Sequence, residues 1–170
     1  MAEESQIRKN THSEFVGVEE LIHKQAMQLR QFELWAEQHN WEAFHKAHYD
    51  WWMFPIDQPS RLGFAYTVYL NEVECLKANA EFMNNYLRGT ELLMLSWAWD
   101  LKKARIIDQP ELGQGWHDWP IRLFKCAQSL KLFGREEELK SVVTYGRILL
   151  SQGKDFSFNG KDLSELFLAQ

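Results

Sequence analysis

A chain of 170 residues with a formal net charge of −5, a pI near 5.7 and a mean hydropathy of −0.44 is long enough for one domain that buries roughly 70% of the surface its unfolded form exposes. Its basic residues are scattered along the sequence instead of forming a stripe, which argues against a nucleic-acid partner. The polar, acidic start Met1-Ala2-Glu3-Glu4-Ser5 does not read as a secretory signal, and the apolar stretch 92–99 is about half the length of a spanning helix, so a cytosolic setting with no membrane partner is expected.

Residues 1–12 are polar and without periodicity, and predict a flexible arm. Ser13 is placed as the N-cap of a long amphipathic helix in which Phe15, Val18, Ile22, Leu29, Phe32 and Ala36 recur three or four residues apart. Glu14, Glu19 and Glu20 meet its positive end, and His39-Asn40 closes it. A short helix from Trp41 to about Tyr49 must stop before Phe54-Pro55, because proline pushes the preceding residue out of helical geometry. Residues 57–66, with Pro59 and Gly63, read as a surface loop.

Asn71 and Glu74 have capping-box spacing. They open a stripe of Val73, Leu76, Ala80, Met83, Leu87, Met94, Trp97 and Leu101 that, unbroken, makes a helix of about 30 residues, roughly 45 Å long. Gly89 is its expected weak point, and residues 92–99, apolar all round, must be enclosed by neighbours. Beyond a loop over 107–115, Asp118 is placed as the cap of a helix with Pro120 in its first turn and Leu123, Ala127, Leu130 and Phe133 inward. Gly134 ends it, and Glu136, Glu137 and Glu138 start the next, whose buried stripe is Leu139, Val142, Val143, Gly146 and Leu149. A tail over 152–170 is looser, with a short docked helix around Leu163, Leu166 and Phe167. With no sustained strand alternation and no internal repeat, the expectation is an all-α, single-domain bundle of five or six helices over 13–151, with an aromatic-rich core. Cys75 and Cys126, both in helical sequence, are expected as buried reduced thiols.

The densest chemical signal lies at residues 45–57. Trp51, Trp52, Met53 and Phe54 suit either the centre of a core or, with Tyr49, Asp50 and Asp57 beside them, a pocket for a peptide or small amphipathic ligand. Trp116 and Trp119 would form an opposing wall, or else cover the bundle end. Glu42, His45 and His48, at i, i+3 and i+6, carry one Glu-x-x-His step of the kind helical bundles use for metals, without the second copy a di-metal site needs. Ser96 and Cys126 sit in apolar helical sequence, no nucleophile elbow surrounds any serine, and the glycines are too dispersed to cradle a phosphate. Lys102-Lys103-Ala104-Arg105 and the pair Arg122 and Lys125 read as solvated surface.

Trp52-Met53-Phe54-Pro55 resembles the Trp-Leu-Phe-Pro signature of the conserved region of opioid growth factor receptors. Glu91-Leu92-Leu93-Met94-Leu95 is similar to that family's Glu-Leu-Met-Leu segment, Trp116 to its tryptophan after the variable loop, and Ser129-Leu130-Lys131-Leu132-Phe133-Gly134 to its Leu-Lys-Ser-Leu and Leu-Gly pattern. The likeness spans about 41–150. It departs at His48-Tyr49-Asp50, where the family carries His-Asp-Tyr, and the long repeat-bearing extension of the animal receptors has no counterpart. The resemblance implies an all-helical domain with a non-enzymatic role and, for the animal members, binding of an enkephalin-type peptide.

The expected function is a cytosolic, non-enzymatic binding or adaptor domain for a protein or peptide, without cofactor, its site drawn from His48, Asp50, Trp51, Trp52, Phe54, Asp57, Trp99, Trp116 and Trp119. The alternatives are a helical metal-dependent enzyme using Glu42, His45 and His48, and a structural subunit whose aromatics form an interface.

Overall fold

The computed structural model describes residues 8–169. Among them the protein is mostly helical, with eight helices in place of the expected five or six and two short antiparallel hairpins. Helix α1 (Val18–Glu37) starts later than the Ser13 cap predicts, because Gly17 at φ 93° breaks the chain just before it. Its inward face carries Leu21 and Phe32, and Gln25, whose side chain donates to the Phe82 carbonyl at 3.0 Å. Helices α2 (Trp41–Lys46) and α3 (Asp50–Met53) take the place of one helix over 41–49, since Ala47 is extended (φ −77°, ψ 159°).

The predicted 30-residue helix is two: α4 (Leu70–Lys77) and α5 (Ala80–Ser96). The break falls at Asn79, whose side chain caps α5 by accepting from the Phe82 amide at 2.8 Å. Gly89 is no weak point; a Cβ there would stand 2.6 Å from Met53 Cε, so the glycine lets α3 lie close on α5. The cap of α4 also sits two residues earlier than predicted, with Glu72, not Glu74, accepting from the Tyr69 amide at 2.9 Å.

Glu72 accepts a second bond, from the Asn10 amide at 2.9 Å, and the Asn10 side chain donates to the carbonyls of Phe64 (2.9 Å) and Thr67 (2.8 Å). His12 stacks on Phe64 at 3.7 Å. Within the expected arm over 1–12, Asn10 and His12 are thus in contact with the helical body, and residues 1–7 lie outside the described residues.

Past Trp97 the chain turns at Ala98 (φ 62°) into the hairpin β1 (Trp99–Asp100) and β2 (Arg105–Ile106). Helices α6 (Pro120–Leu132) and α7 (Glu136–Ser151) pack on each other, as α1 does on α5, and α3 touches both α1 and α6. Trp119, not Asp118, occupies the N-cap of α6, with Asp118 at φ 54° before it. A second hairpin, β3 (Ser157–Phe158) and β4 (Lys161–Asp162), leads to α8 (Glu165–Leu168). Phe167 lies so tightly on Gly146 of α7 that a Cβ there would overlap the ring.

The core is a continuous body of rings and aliphatic side chains that runs from Phe32, Phe44 and Tyr49 through Phe82 and Tyr86 to Trp97, Tyr145 and Phe156. Cys126 is sealed inside α6, whereas Cys75 is exposed on α4, against expectation, since it is Leu76 that turns inward there. Among the described residues no helix is long and apolar enough to cross a membrane.

Candidate functional site

The single turn of α3 divides the aromatic cluster, because successive residues on a helix point about 100° apart. Tyr49, Met53 and Phe54 are sealed in the core; Trp51 and Trp52 are half-buried with ring centres 5.9 Å apart, and they part in their other neighbours. The corner between α2 and α3 is held by Arg122 of α6, only 1% exposed. Its Nε donates to Asp50 Oδ1 at 2.7 Å, and its two terminal nitrogens donate to the carbonyls of Phe44 (2.6 Å) and Ala47 (2.7 Å), which the end of α2 leaves free. The guanidinium also lies 4.2 Å from the centre of the Tyr49 ring. The Tyr49 hydroxyl donates to the Phe44 carbonyl at 2.5 Å, and burial pushes its pKa up.

Outside this corner a cleft of about 370 Å³ opens between α3, the 56–61 loop, the first turns of α6 and the β3–β4 hairpin. Trp51 and Trp119 face it, with His48 at 6.3 Å from each ring. Trp119 is fixed by an indole bond to the His45 carbonyl at 3.1 Å. The Trp51 indole N–H is enclosed with no hydrogen-bond partner among the described residues. Two cations flank the Trp51 ring: Lys125 Nζ at 5.0 Å and the Arg61 guanidinium at 5.4 Å from its centre.

Lys125 is 8% exposed, yet among the described residues no carboxylate lies within ion-pair distance of it. Burial lowers its pKa, Asp50 opposes that, and Arg122 and Arg61 add to it. With Lys161 the lining carries four cations, Arg61, Arg122, Lys125 and Lys161, against one carboxylate, Asp50. A chain of net charge −5 has thus gathered positive charge into one opening.

Of the nine residues expected at the site, His48, Asp50, Trp51 and Trp119 line this cleft. The others lie elsewhere. Trp52 faces α1, its indole donating to Gln28 Oε1 at 3.2 Å with Lys24 over its ring at 4.5 Å. Phe54 is core, and Trp99 is sealed with its indole on Ser141 Oγ at 3.1 Å. Trp116 packs on Trp97 at 5.2 Å, and Asp57 accepts from the Gln128 side chain at 3.4 Å.

Glu42, His45 and His48 do not converge. The extended Ala47 takes His48 off the α2 face, Glu42 pairs with Lys46 at 3.6 Å, and His45 Nε2 donates to the Gly113 carbonyl at 2.8 Å. His45 stacks on His117 at 3.8 Å, and burial lowers its pKa to about 4, with the neighbouring His117 and Arg122 acting in the same direction. Among the described residues no group of three His, Cys, Asp or Glu side chains is arranged to hold a metal.

Arg61 and Lys161 carry charge in the cleft and have no place in the sequence reading; Lys125 carries charge there too, but that reading places it with Arg122 on solvated surface. That placement is overturned. The available signal was spacing: Arg122, Lys125, Cys126 and Ser129 fall at i, i+3, i+4 and i+7, one inward face of α6, and all four are buried. Comparison with protein-family models, curated proteins and solved structures finds no match to this chain.

Proposed function

We propose that this protein is a non-enzymatic binding domain that holds a peptide segment of a partner in the cleft between Trp51 and Trp119. One observation carries the reading: Trp51 and Trp119, from distant parts of the chain, frame the same concave opening of about 370 Å³, within the ordinary size of a ligand site. Half-buried indoles supply contact area at small entropic cost, and Trp119 is already oriented by its bond to the His45 carbonyl. The resemblance to the conserved region of opioid growth factor receptors, whose animal members bind a peptide, supports the same class of occupant. The two free thiols suit a cytosolic setting.

Selection of random dodecapeptides on the full chain, followed by 19F NMR of the 5-fluorotryptophan-labelled protein, tests it. Selected peptides are expected to shift the resonances of Trp51 and Trp119, assigned through Trp→Phe variants, and to leave sealed Trp99 in place. Failure to select any peptide, or shifts confined to other indoles, would overturn the proposal.

A further inference from the structure

We infer that the cleft recognises an acidic peptide segment, with a side-chain carboxylate seated against Lys125 and Arg61 and an adjacent apolar side chain laid on Trp51 and Trp119. The inference rests on the binding reading above and specifies its ligand. Its ground is the contrast between two cations on one helix face. Arg122 has its charge met by Asp50 and each of its three nitrogens engaged, the terminal pair on two carbonyls, so its guanidinium is held in the α2–α3 corner. Lys125, one turn on, is almost as buried and has no carboxylate within reach among the described residues. Burial of its stem leaves the ammonium partly desolvated at the cleft wall without a counter-ion, a cost that is offset when an anion arrives.

Three further features set the anion's chemistry. Arg61, exposed on the 56–61 loop, lies 5.4 Å from the centre of the Trp51 ring and makes no ion pair among the described residues. Lys161, on the β3–β4 hairpin, is likewise exposed and free of ion pairs among the described residues. The walls between these charges are flat and apolar, Trp51 and Trp119 with Ile121 and Phe124, so a bare inorganic anion would leave most of the opening unfilled. The overall charge of −5 repels a long polyanion, which favours a short acidic-aromatic or acidic-aliphatic stretch over a nucleic acid strand.

The test uses the dodecapeptides selected on the full chain, scored for composition and then titrated at low and high salt against wild type, Lys125→Met and Arg61→Gln, with single-stranded dT12 as a second probe. The selected pool is expected to be enriched in Asp or Glu next to Phe, Tyr, Trp or Leu. Lys125→Met keeps the buried stem and removes the ammonium, so it is expected to fold with a raised Tm while binding roughly tenfold to a hundredfold more weakly, the weight of one charge-assisted contact. Arg61→Gln, at an exposed site, should weaken binding less and flatten its salt dependence. Selected peptides that shift Trp51 but carry no acidic enrichment, or that bind Lys125→Met as well as wild type, would overturn the acidic-ligand inference and leave the binding reading standing. Tighter binding of dT12 than of the peptides, lost in Lys125→Met, would replace the carboxylate by phosphate and equally overturn it. An empty selection removes both.

Discussion

Arg122 and Lys125 sit three residues apart on α6 and meet opposite fates: the first is a completed structural joint, the second a charge left waiting at the wall of a cleft. The same division runs through the aromatic cluster, where Phe54 is sealed and Trp51, three residues before it, faces the opening. A folded core satisfies its polar groups because an unmet one costs free energy. Several buried polar atoms lack a partner among the described residues, Gln25 Oε1 and the indole N–H groups of Trp51, Trp97 and Trp116 among them; Lys125 differs from these in carrying a full charge at the wall of an opening, beside the indole pair.

Substitutions on the two sides should separate them by size and by sign. The largest effect is expected for Arg122→Met, which strands the Asp50 carboxylate and two helix-end carbonyls; a loss of about 3 to 5 kcal/mol in denaturant unfolding is the scale for breaking a buried pair. Phe54→Ala should cost about 3 to 4 kcal/mol through the cavity it leaves, whereas Trp51→Ala, removing a ring with one face already open, should cost roughly half of that. A cost for Trp51→Ala equal to that of Phe54→Ala would erase the distinction between the faces.

A third effect is set by pH. His45 is neutral in the folded protein down to about pH 4, while in the unfolded chain it protonates at its ordinary value of 6.5. Between those values the unfolded state binds the extra proton, so stability is lost as pH falls from 6.5 towards 4. Thermal melts of wild type and His45→Gln across that window should show the steeper fall in wild type. Parallel curves would mean that the stacked pair with His117 does not titrate with folding. The smallest effect, and the only one of opposite sign, is expected for Lys125→Met, which should raise stability by about 1 kcal/mol by removing a desolvated charge.

Much of the helical frame is legible because periodicity reports burial: α6 and α7 follow their apolar stripes, whereas α1 seals Leu21, Gln25, Gln28 and Phe32 and leaves Val18, Ile22, Leu29 and Ala36 of its expected stripe only partly buried. The break between α4 and α5 was misplaced because Gly89 was weighed by helix propensity, and its purpose, the approach of Met53, is a tertiary fact. Asn79, a cap residue followed by Glu81 in the first turn, was the local clue. The site was legible by halves. Trp51 and Trp119 stand out by residue type, but Trp52, though its ring lies 5.9 Å from that of Trp51, turns to Gln28 and Lys24 of α1, a tertiary contact that residue type does not report. The positive lining arises from Arg61, Arg122, Lys125 and Lys161, brought together only by folding, and a scan for basic runs along the chain passes over such a set.

The central claim, that a positive aromatic cleft opens at Trp51 in an otherwise acidic protein, is tested most directly by quenching tryptophan fluorescence with iodide and with caesium in wild type and Trp51→Phe. Net charge alone favours the cation as quencher. The account predicts that the Trp51 component, the difference between the two proteins, is quenched more strongly by iodide; a component quenched equally by both ions, or better by caesium, would contradict it.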